Sequence, residues 1–333
     1  MRKRPALENR ALSGEGETAS PDENATAQAH GVLPRFVAAG PGSRERFAPL
    51  LASLASGALA AILLLTPSGA GGQQIPDQVS ADALRVCADP ANMPYSSTAG
   101  EGFENKIAEI VADELKVPVR YYFMPQGPGF VRNTLGKRLC DVVIGYAAGA
   151  DPVLHTNPYY QSVYVLLVKA GGPLDGVEQL SDPRLKGKRL GVMAATPPAD
   201  RLLEYGLLPT SRTYSLLVDR RFDSPAEQMI DDLAKGEIDG ALLWGPTAGA
   251  FAAKAAVPLK TVPLLKEGER PSMTYRITMG VRQTDHDWKQ VLNRVLRKRA
   301  ADIDKVLLAY HVPLLDDDDQ LVTGSSPDAG RRP

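Results

Sequence analysis

The chain of 333 residues has only two cysteines, Cys87 and Cys140, and four histidines. His30, His155, His286 and His311 are scattered without ligand spacing, and there is no C-x-x-C-H run, which argues against a histidine/cysteine metal centre and a c-type haem. No carboxylate-rich set suited to a hard metal ion is visible, and no cofactor is implied. Charge of one sign is also lacking: 38 basic residues stand against 39 acidic ones, so no broad basic surface for nucleic acid is implied. The first 70 residues carry 7 basic and 6 acidic residues and the remainder 31 and 33, a balance that points to no particular partner.

Residues 1–48 are rich in Ala, Gly, Ser, Pro and charge, have no apolar period, and read as a disordered leader. Residues 49–70 read as a signal peptide. Leu50 to Leu65 is apolar and uncharged, Arg44 and Arg46 precede it, and the small-x-small pattern Ser68-Gly69-Ala70 places cleavage after Ala70. The competing reading is a retained membrane anchor, because the run approaches spanning length. The leader is long for a signal, as an over-extended gene start would make it. Export into the periplasm puts both cysteines where disulfides persist. A Cys87–Cys140 bridge would close a loop of about 53 residues and contribute about 4 kcal/mol in the chain-entropy model. Geometry leaves the pairing open. Aligning Asp89 with Gly145 sets Cys87 beside Val143, and the three-residue offset to Cys140 is about 10 Å at strand rise. Either the register shifts or the two remain buried thiols.

The stretch Leu84–Tyr146 alternates strand and helix. Leu84–Ala88, Val119–Phe123 and Asp141–Gly145 read as strands, and Phe103–Leu115 and Phe130–Leu139 as helices. That order predicts an α/β fold with a parallel sheet, whose ligand lies beyond the carboxyl ends of the strands at Asp89–Tyr95, Met124–Gly129 and Gly145–Gly149. In the first helix Phe103, Ile107, Ile110, Val111 and Leu115 share one face, while Glu104, Lys106, Glu109 and Asp113 are expected outward. Its start is a ready site for an anionic group. A second βα assembly follows. Leu190–Met193, Ile238–Trp244 and Leu259–Pro263 are its strands, and Ser224-Pro225-Ala226-Glu227 opens a helix. Two extended crossings, near Tyr160–Val168 and Tyr275–Val281, join the assemblies as a hinge with the cleft between them. Lobe 1 is expected over 80–165 and 273–315, lobe 2 over 166–272, and a disordered acidic tail over 316–333. A single long last helix carries a basic face of Arg294, Arg297, Lys298 and Arg299.

This layout over about residues 80 to 313 resembles the two-lobed periplasmic binding protein fold (type II) of the polar amino-acid solute-binding proteins. A narrower resemblance, to the MoxJ/XoxJ family, rests on several runs. They are Arg85-Val86-Cys87-Ala88-Asp89-Pro90, Gly102-Phe103-Glu104-Asn105-Lys106-Ile107-Ala108-Glu109 and Gly129-Phe130-Val131-Arg132-Asn133-Thr134-Leu135, with Ser224-Pro225, Leu242-Leu243-Trp244-Gly245-Pro246 and Tyr275-Arg276-Ile277-Thr278-Met279-Gly280-Val281. That resemblance implies a periplasmic, non-enzymatic protein associated with quinoprotein methanol dehydrogenase, activating or assembling it. It does not imply that this chain itself carries pyrroloquinoline quinone (PQQ), calcium or a lanthanide.

Two departures from the amino-acid binders stand out. They usually clamp the ligand carboxylate with an Arg after the third strand, and Tyr146 to Tyr160 contains none. They usually pair the ammonium with an Asp where this chain has Trp244-Gly245-Pro246. Losing both anchors favours a different ligand or a protein partner.

The candidate cleft residues each have a structural alternative. Asp89 faces the cleft or caps a turn. Asn92 shares its loop with Tyr95, which stacks on a ligand or closes the lobe interface. Phe103 and Glu104 sit at the cleft rim, with core packing the plainer role for Phe103. Gln126 and Arg132 belong to the second strand's loop, and Arg132 is the best replacement anion binder or else a surface ion-pair partner. Tyr146 ends the third strand. Thr196 offers donors to an anion or caps a helix. Trp244 is a ligand platform, a partner hot spot or a packed hinge residue. Dehydratases share the two-lobed fold, but no matched acid–base pair or triad is visible here. Ordinary transport of a small polar or anionic solute is the remaining alternative.

Overall fold

The computed structural model describes residues 79–322. The leader, signal core and cleavage site expected within 1–70, and the tail beyond 322, lie outside the described residues. Among those described, no helix is long and apolar enough to cross a membrane.

Lobe 1 opens with β1 (Leu84–Ala88), the two-residue strands β2 (Ala91–Asn92) and β3 (Ser96–Ser97), and α1 (Phe103–Leu115). It continues with β4 (Val119–Phe123), the short α2 (Phe130–Asn133), β5 (Val142–Ala147) and β6 (Leu154–His155). The crossing strand β7 (Tyr160–Lys169) leads into lobe 2. There follow β8 (Leu190–Met193), α3 (Pro197–Glu204), β9 (Arg212–Tyr214), α4 (Pro225–Lys235), β10 (Gly240–Trp244), α5 (Gly245–Ala252) and β11 (Leu259–Pro263). β12 (Thr274–Val281) returns the chain to lobe 1, closed by α6 (His286–Lys298) and α7 (Ala300–Ala309).

Each lobe has a parallel centre. β1 lies between β4 and β5 in one, and β8 lies between β10 and β9 in the other. The crossing strands add antiparallel pairs. The first half of β7 pairs with β12, Tyr160 opposite Ile277 and Val163 opposite Thr274. Its second half pairs with β10 and β11, Leu167 opposite both Ala241 and Thr261. One ten-residue strand therefore belongs to both lobes. Its stretch Val163–Val168, buried but for Tyr164, reads as a continuous apolar run.

The cores follow the apolar periods. In lobe 1, Phe103, Ile107 and Val111 of α1 pack with Val86, Ile144, Met279 and Leu307. In lobe 2, Leu190, Val192, Leu202, Met229, Leu233 and Leu242 form the centre. Each such side chain contributes about 1.5–3 kcal/mol by leaving water. Glu104 breaks the expected pattern: it is buried rather than outward. The start of α1 is not free for an anion either. The Phe103 and Glu104 N–H groups donate to the carbonyls of Pro94 (2.8 Å) and Tyr95 (2.9 Å). Gly102 permits this close crossing, since a Cβ there would fall 2.0 Å from the Tyr95 oxygen.

Three expectations about elements need correction. Phe130–Leu139 is not one helix. α2 ends after a turn, where the Thr134 hydroxyl donates back to the Phe130 carbonyl at 2.7 Å, and a 3-10 turn over Leu135–Lys137 follows. The last helix breaks at Arg299, whose guanidinium is drawn to Asp113 of α1 and to Asp302, each at 2.8 Å. With Lys298 bonded to Glu114 at 2.6 Å, half of the expected basic face is tied to α1. Asp316–Gln320 is a turn closed by the Asp316 carboxylate, not the start of a disordered tail.

Cys87 and Cys140 are bridged, with Cα atoms 5.4 Å apart. Cys87 does stand beside Val143, as the strand alignment required. The bridge still forms because β5 begins only at Val142, so Cys140 lies in the preceding turn rather than three steps down the strand. Asp141 holds that turn. Its carboxylate accepts from Arg85 Nη2 (2.6 Å) and Nε (2.7 Å), from Arg282 Nη2 (2.9 Å) and from the Ser80 N–H (3.1 Å). Trp288 Nε1 donates to its backbone carbonyl at 3.1 Å.

Candidate functional site

The main cleft, of about 680 Å³, opens where the strands end. That size is in the range of small-ligand sites, about 300–1,000 Å³. Lobe 1 supplies the loops after β1 and β4 and the carboxyl end of β5, as strand polarity requires. Lobe 2 supplies the ends of β8 and β10 and the loop from Ser215 to Ser224.

Six aromatic side chains line the cleft: Tyr95, Tyr160, Tyr164, Trp244, Phe251 and Tyr275. Trp244 meets Tyr164 edge-on at 5.1 Å and Tyr275 at 5.8 Å between ring centroids. β7 and β12 deliver the two tyrosines, so this three-ring cluster sits where the lobes are joined. Burial raises the Tyr164 and Tyr275 phenols above their ordinary value, and both stay neutral. Tyr95 crosses the cleft, its Oη lying 2.8 Å from Thr247 Oγ1 at the start of α5.

Glu104 is the central charged group. It is 7% exposed and lines the cleft, and its carboxyl has no hydrogen-bond or ion-pair partner among the described residues. Burial, with the negative charge of Asp89 added, pushes its carboxyl well above the usual range. Gly145, at φ +73°, lies directly against it: a Cβ there would meet Glu104 Oε1 at 1.8 Å. Glycine is therefore required at 145 both for the backbone angle and for the carboxyl to occupy its place.

The other expected site residues divide into two groups. Asn92, Gln126, Thr196 and Trp244 line the cleft with Tyr95 and Glu104. Asn92 Nδ2 donates to Gln126 Oε1 at 3.0 Å, joining two loops. Thr196 Oγ1 donates to the Met193 carbonyl at 2.7 Å, so its hydroxyl serves neither an anion nor a side-chain cap on α3. Four residues do not line the cleft. Asp89 is a buried turn acceptor, taking the N–H groups of Ala91 (2.8 Å) and Gln126 (2.6 Å). Phe103 is fully buried among Tyr95, Tyr160 and Tyr310. Arg132 is exposed, with its guanidinium over Gly129. Tyr146 turns away, its hydroxyl donating to the Asp151 carbonyl at 3.0 Å.

The guanidinium that does reach the cleft is Arg220, from the loop after β9, with Nη1 4.0 Å from Asp89 Oδ2. Its sequence signal was the charged run Asp219-Arg220-Arg221 just before a helix start. Asp223 and Glu227 also line the lobe 2 rim and are exposed. The lining contains no histidine or cysteine, and no three described His, Cys, Asp or Glu residues are grouped to hold a metal ion.

Two βα lobes sharing a through-running strand, with an aromatic cleft at the strand ends, define a two-lobed solute-binding protein of the periplasmic type. Comparison with known proteins carries this further. No protein-family model matches the chain. The solved structure of periplasmic binding protein XoxJ from Methylobacterium extorquens AM1 is 49% identical, with a TM-score of 0.61 over 70% of this chain and 100% of that one. That of MxaJ from Methlophaga aminisulfidivorans MPT is 27% identical, with a TM-score of 0.63 and the same coverage. Protein MoxJ of Methylorubrum extorquens strain AM1 is 31% identical over 252 residues, 71% of this chain and 82% of that protein. The chain belongs to the MoxJ/XoxJ family.

Proposed function

We propose that this chain is exported, matures to a form beginning at Gly71, and acts in the periplasm as an accessory protein of methanol oxidation. In this reading it binds a PQQ-dependent methanol dehydrogenase and helps to activate or assemble it. The observation that carries the reading is a family member's cleft without the zwitterion anchors of transport receptors. Trp244 packs with Tyr164 and Tyr275 where the ammonium-pairing Asp would stand. The one lining arginine, Arg220, is directed at Asp89. A partner is further supported by the loop at the cleft mouth, where Leu217 is 67% and Phe222 82% exposed. Two large apolar side chains exposed on one loop of the rim suit an interaction site.

Size-exclusion co-elution tests this reading. The mature chain is mixed with methanol dehydrogenase of the same host, with and without its quinone and metal. A shared peak, strongest with the incomplete enzyme and lost in a Leu217→Ala/Phe222→Ala variant, is expected. Separate peaks at about 50 μM, where transient interfaces still register, would overturn it. The second reading is a substrate-binding subunit of an ABC transporter for a small polar or anionic solute, favoured by the open volume of about 680 Å³.

A further inference from the structure

The cleft has an unpartnered carboxyl at its centre. Glu104 reaches it from the first turn of α1, more than nine-tenths buried, and no described donor is bonded to it. Arg220 makes no ion pair with it; its Nη1 lies 4.0 Å from Asp89 Oδ2 instead. The remaining charged lining residues, Asp223 and Glu227, are also acidic. A buried carboxyl without a partner is costly to keep, and it is retained here beside open volume.

The surroundings of Glu104 are aromatic. It lies close enough to Tyr95 and Tyr160 for its charge to act on both phenols. Tyr164, Trp244 and Tyr275 complete the lining on the hinge side. Aromatic faces attract cations, by about 2 kcal/mol or more where water is excluded. A carboxylate inside such a box accepts charge-assisted hydrogen bonds from an ammonium group. Met93, Met193 and Phe251, which pack with the lobe 2 core, add apolar lining suited to a hydrocarbon body.

The geometry points to a binding site for a small primary alkylammonium ion, its head on Glu104 within the aromatic lining and its hydrocarbon body toward Met193 and Phe251. This ligand site does not depend on the dehydrogenase reading. It also accounts for the glycine at 145, which leaves the carboxyl room beside the backbone. A carboxylate-bearing ligand would meet three acidic lining groups, Glu104, Asp223 and Glu227, against the single guanidinium of Arg220, so the same cleft disfavours organic acids.

The test is calorimetric titration of the mature chain at pH 8 with three ligands sharing one body: hexylammonium, 1-hexanol and hexanoate. Hexylammonium is expected to bind at least about tenfold more tightly than hexanol, the scale of one charged hydrogen bond. Hexanoate should bind more weakly than either. Glu104→Gln should bring the ammonium down to the level of the alcohol, and Glu109→Gln, exposed on the same helix and outside the cleft lining, should leave the preference intact. Equal binding of the three by the wild-type chain, no heat with hexylammonium, or an undiminished preference in Glu104→Gln would each overturn the site. Should Glu104→Gln fail to fold by circular dichroism, Trp244→Leu takes its place: it removes a cage face and must lower ammonium affinity more than alcohol affinity.

Discussion

Tyr95 Oη and Thr247 Oγ1 are 2.8 Å apart, one on each lobe, and so form a direct hydrogen bond across the cleft. Burial raises the Tyr95 phenol above its ordinary value, so it keeps its proton at physiological pH. Tyr95→Phe removes this tie while keeping the ring against Phe103. A loss of about 1 kcal/mol is expected from one neutral hydrogen bond, read as a lower urea midpoint. Small-angle scattering should show a larger radius of gyration as the lobes part. An unchanged radius and midpoint would mean that the shared strands alone hold the lobes in place.

Glu104 makes stability depend on pH in a defined direction. Its folded-state value lies well above the ordinary 4.5, chiefly through burial and then through the charge of Asp89. Below about pH 4.5 the carboxyl is neutral in both folded and unfolded chains and carries no penalty. As pH rises through the folded-state value, the wild type loses stability that a neutral Gln would keep. Glu104→Gln should therefore melt progressively higher than wild type between acid and neutral pH. A constant difference across that range would contradict the burial of an unpartnered carboxyl.

Asp141 behaves in the opposite sense. Burial alone would raise its carboxyl, but the hydrogen bonds from Arg85, Arg282 and the Ser80 N–H outweigh it and the value is lowered. The stability it confers is present above the ordinary carboxyl range and is lost as pH falls through the lowered value. Asp141→Asn leaves the half-buried Arg85 without its counter-charge and the buried Arg282 with Asp285 alone, at a cost of about 3 kcal/mol. Guanidinium denaturation at pH 7 measures it, and a loss below about 1 kcal/mol would show that water replaces the carboxylate.

Reducing the Cys87–Cys140 bridge frees a loop spanning a sequence separation of 53. The expected loss is about 2–4 kcal/mol. Melting with and without dithiothreitol, alongside the Cys87→Ser/Cys140→Ser variant, reads it directly. Identical melts would mean that the Asp141 network holds this corner unaided.

Much of the architecture was readable in the sequence, and the failures have physical causes. β1, α1 and β4 span the residues that their apolar periods marked, because each buries a single face or run. The last helix was read as continuous because its apolar stripe continues past Arg299, while the break falls at the residue that pairs with Asp113 of α1 and with Asp302. The cleft loops were located by strand polarity alone. Which side chains in them face the cleft was not. Arg132 and Arg220 are both loop arginines, and only the fold separates the exposed one from the lining one.

The sequence by itself determined the order of strands and helices, the two crossings, the family, and the missing zwitterion anchors. All of these are properties of local pattern and residue identity. Tertiary structure alone decided that Glu104 turns inward without a partner, that Asp89 is consumed by turn N–H groups, and that Cys140 comes within reach of Cys87. Each of these depends on the approach of segments distant in the chain, and the period of a single helix or strand carries no record of what packs against it.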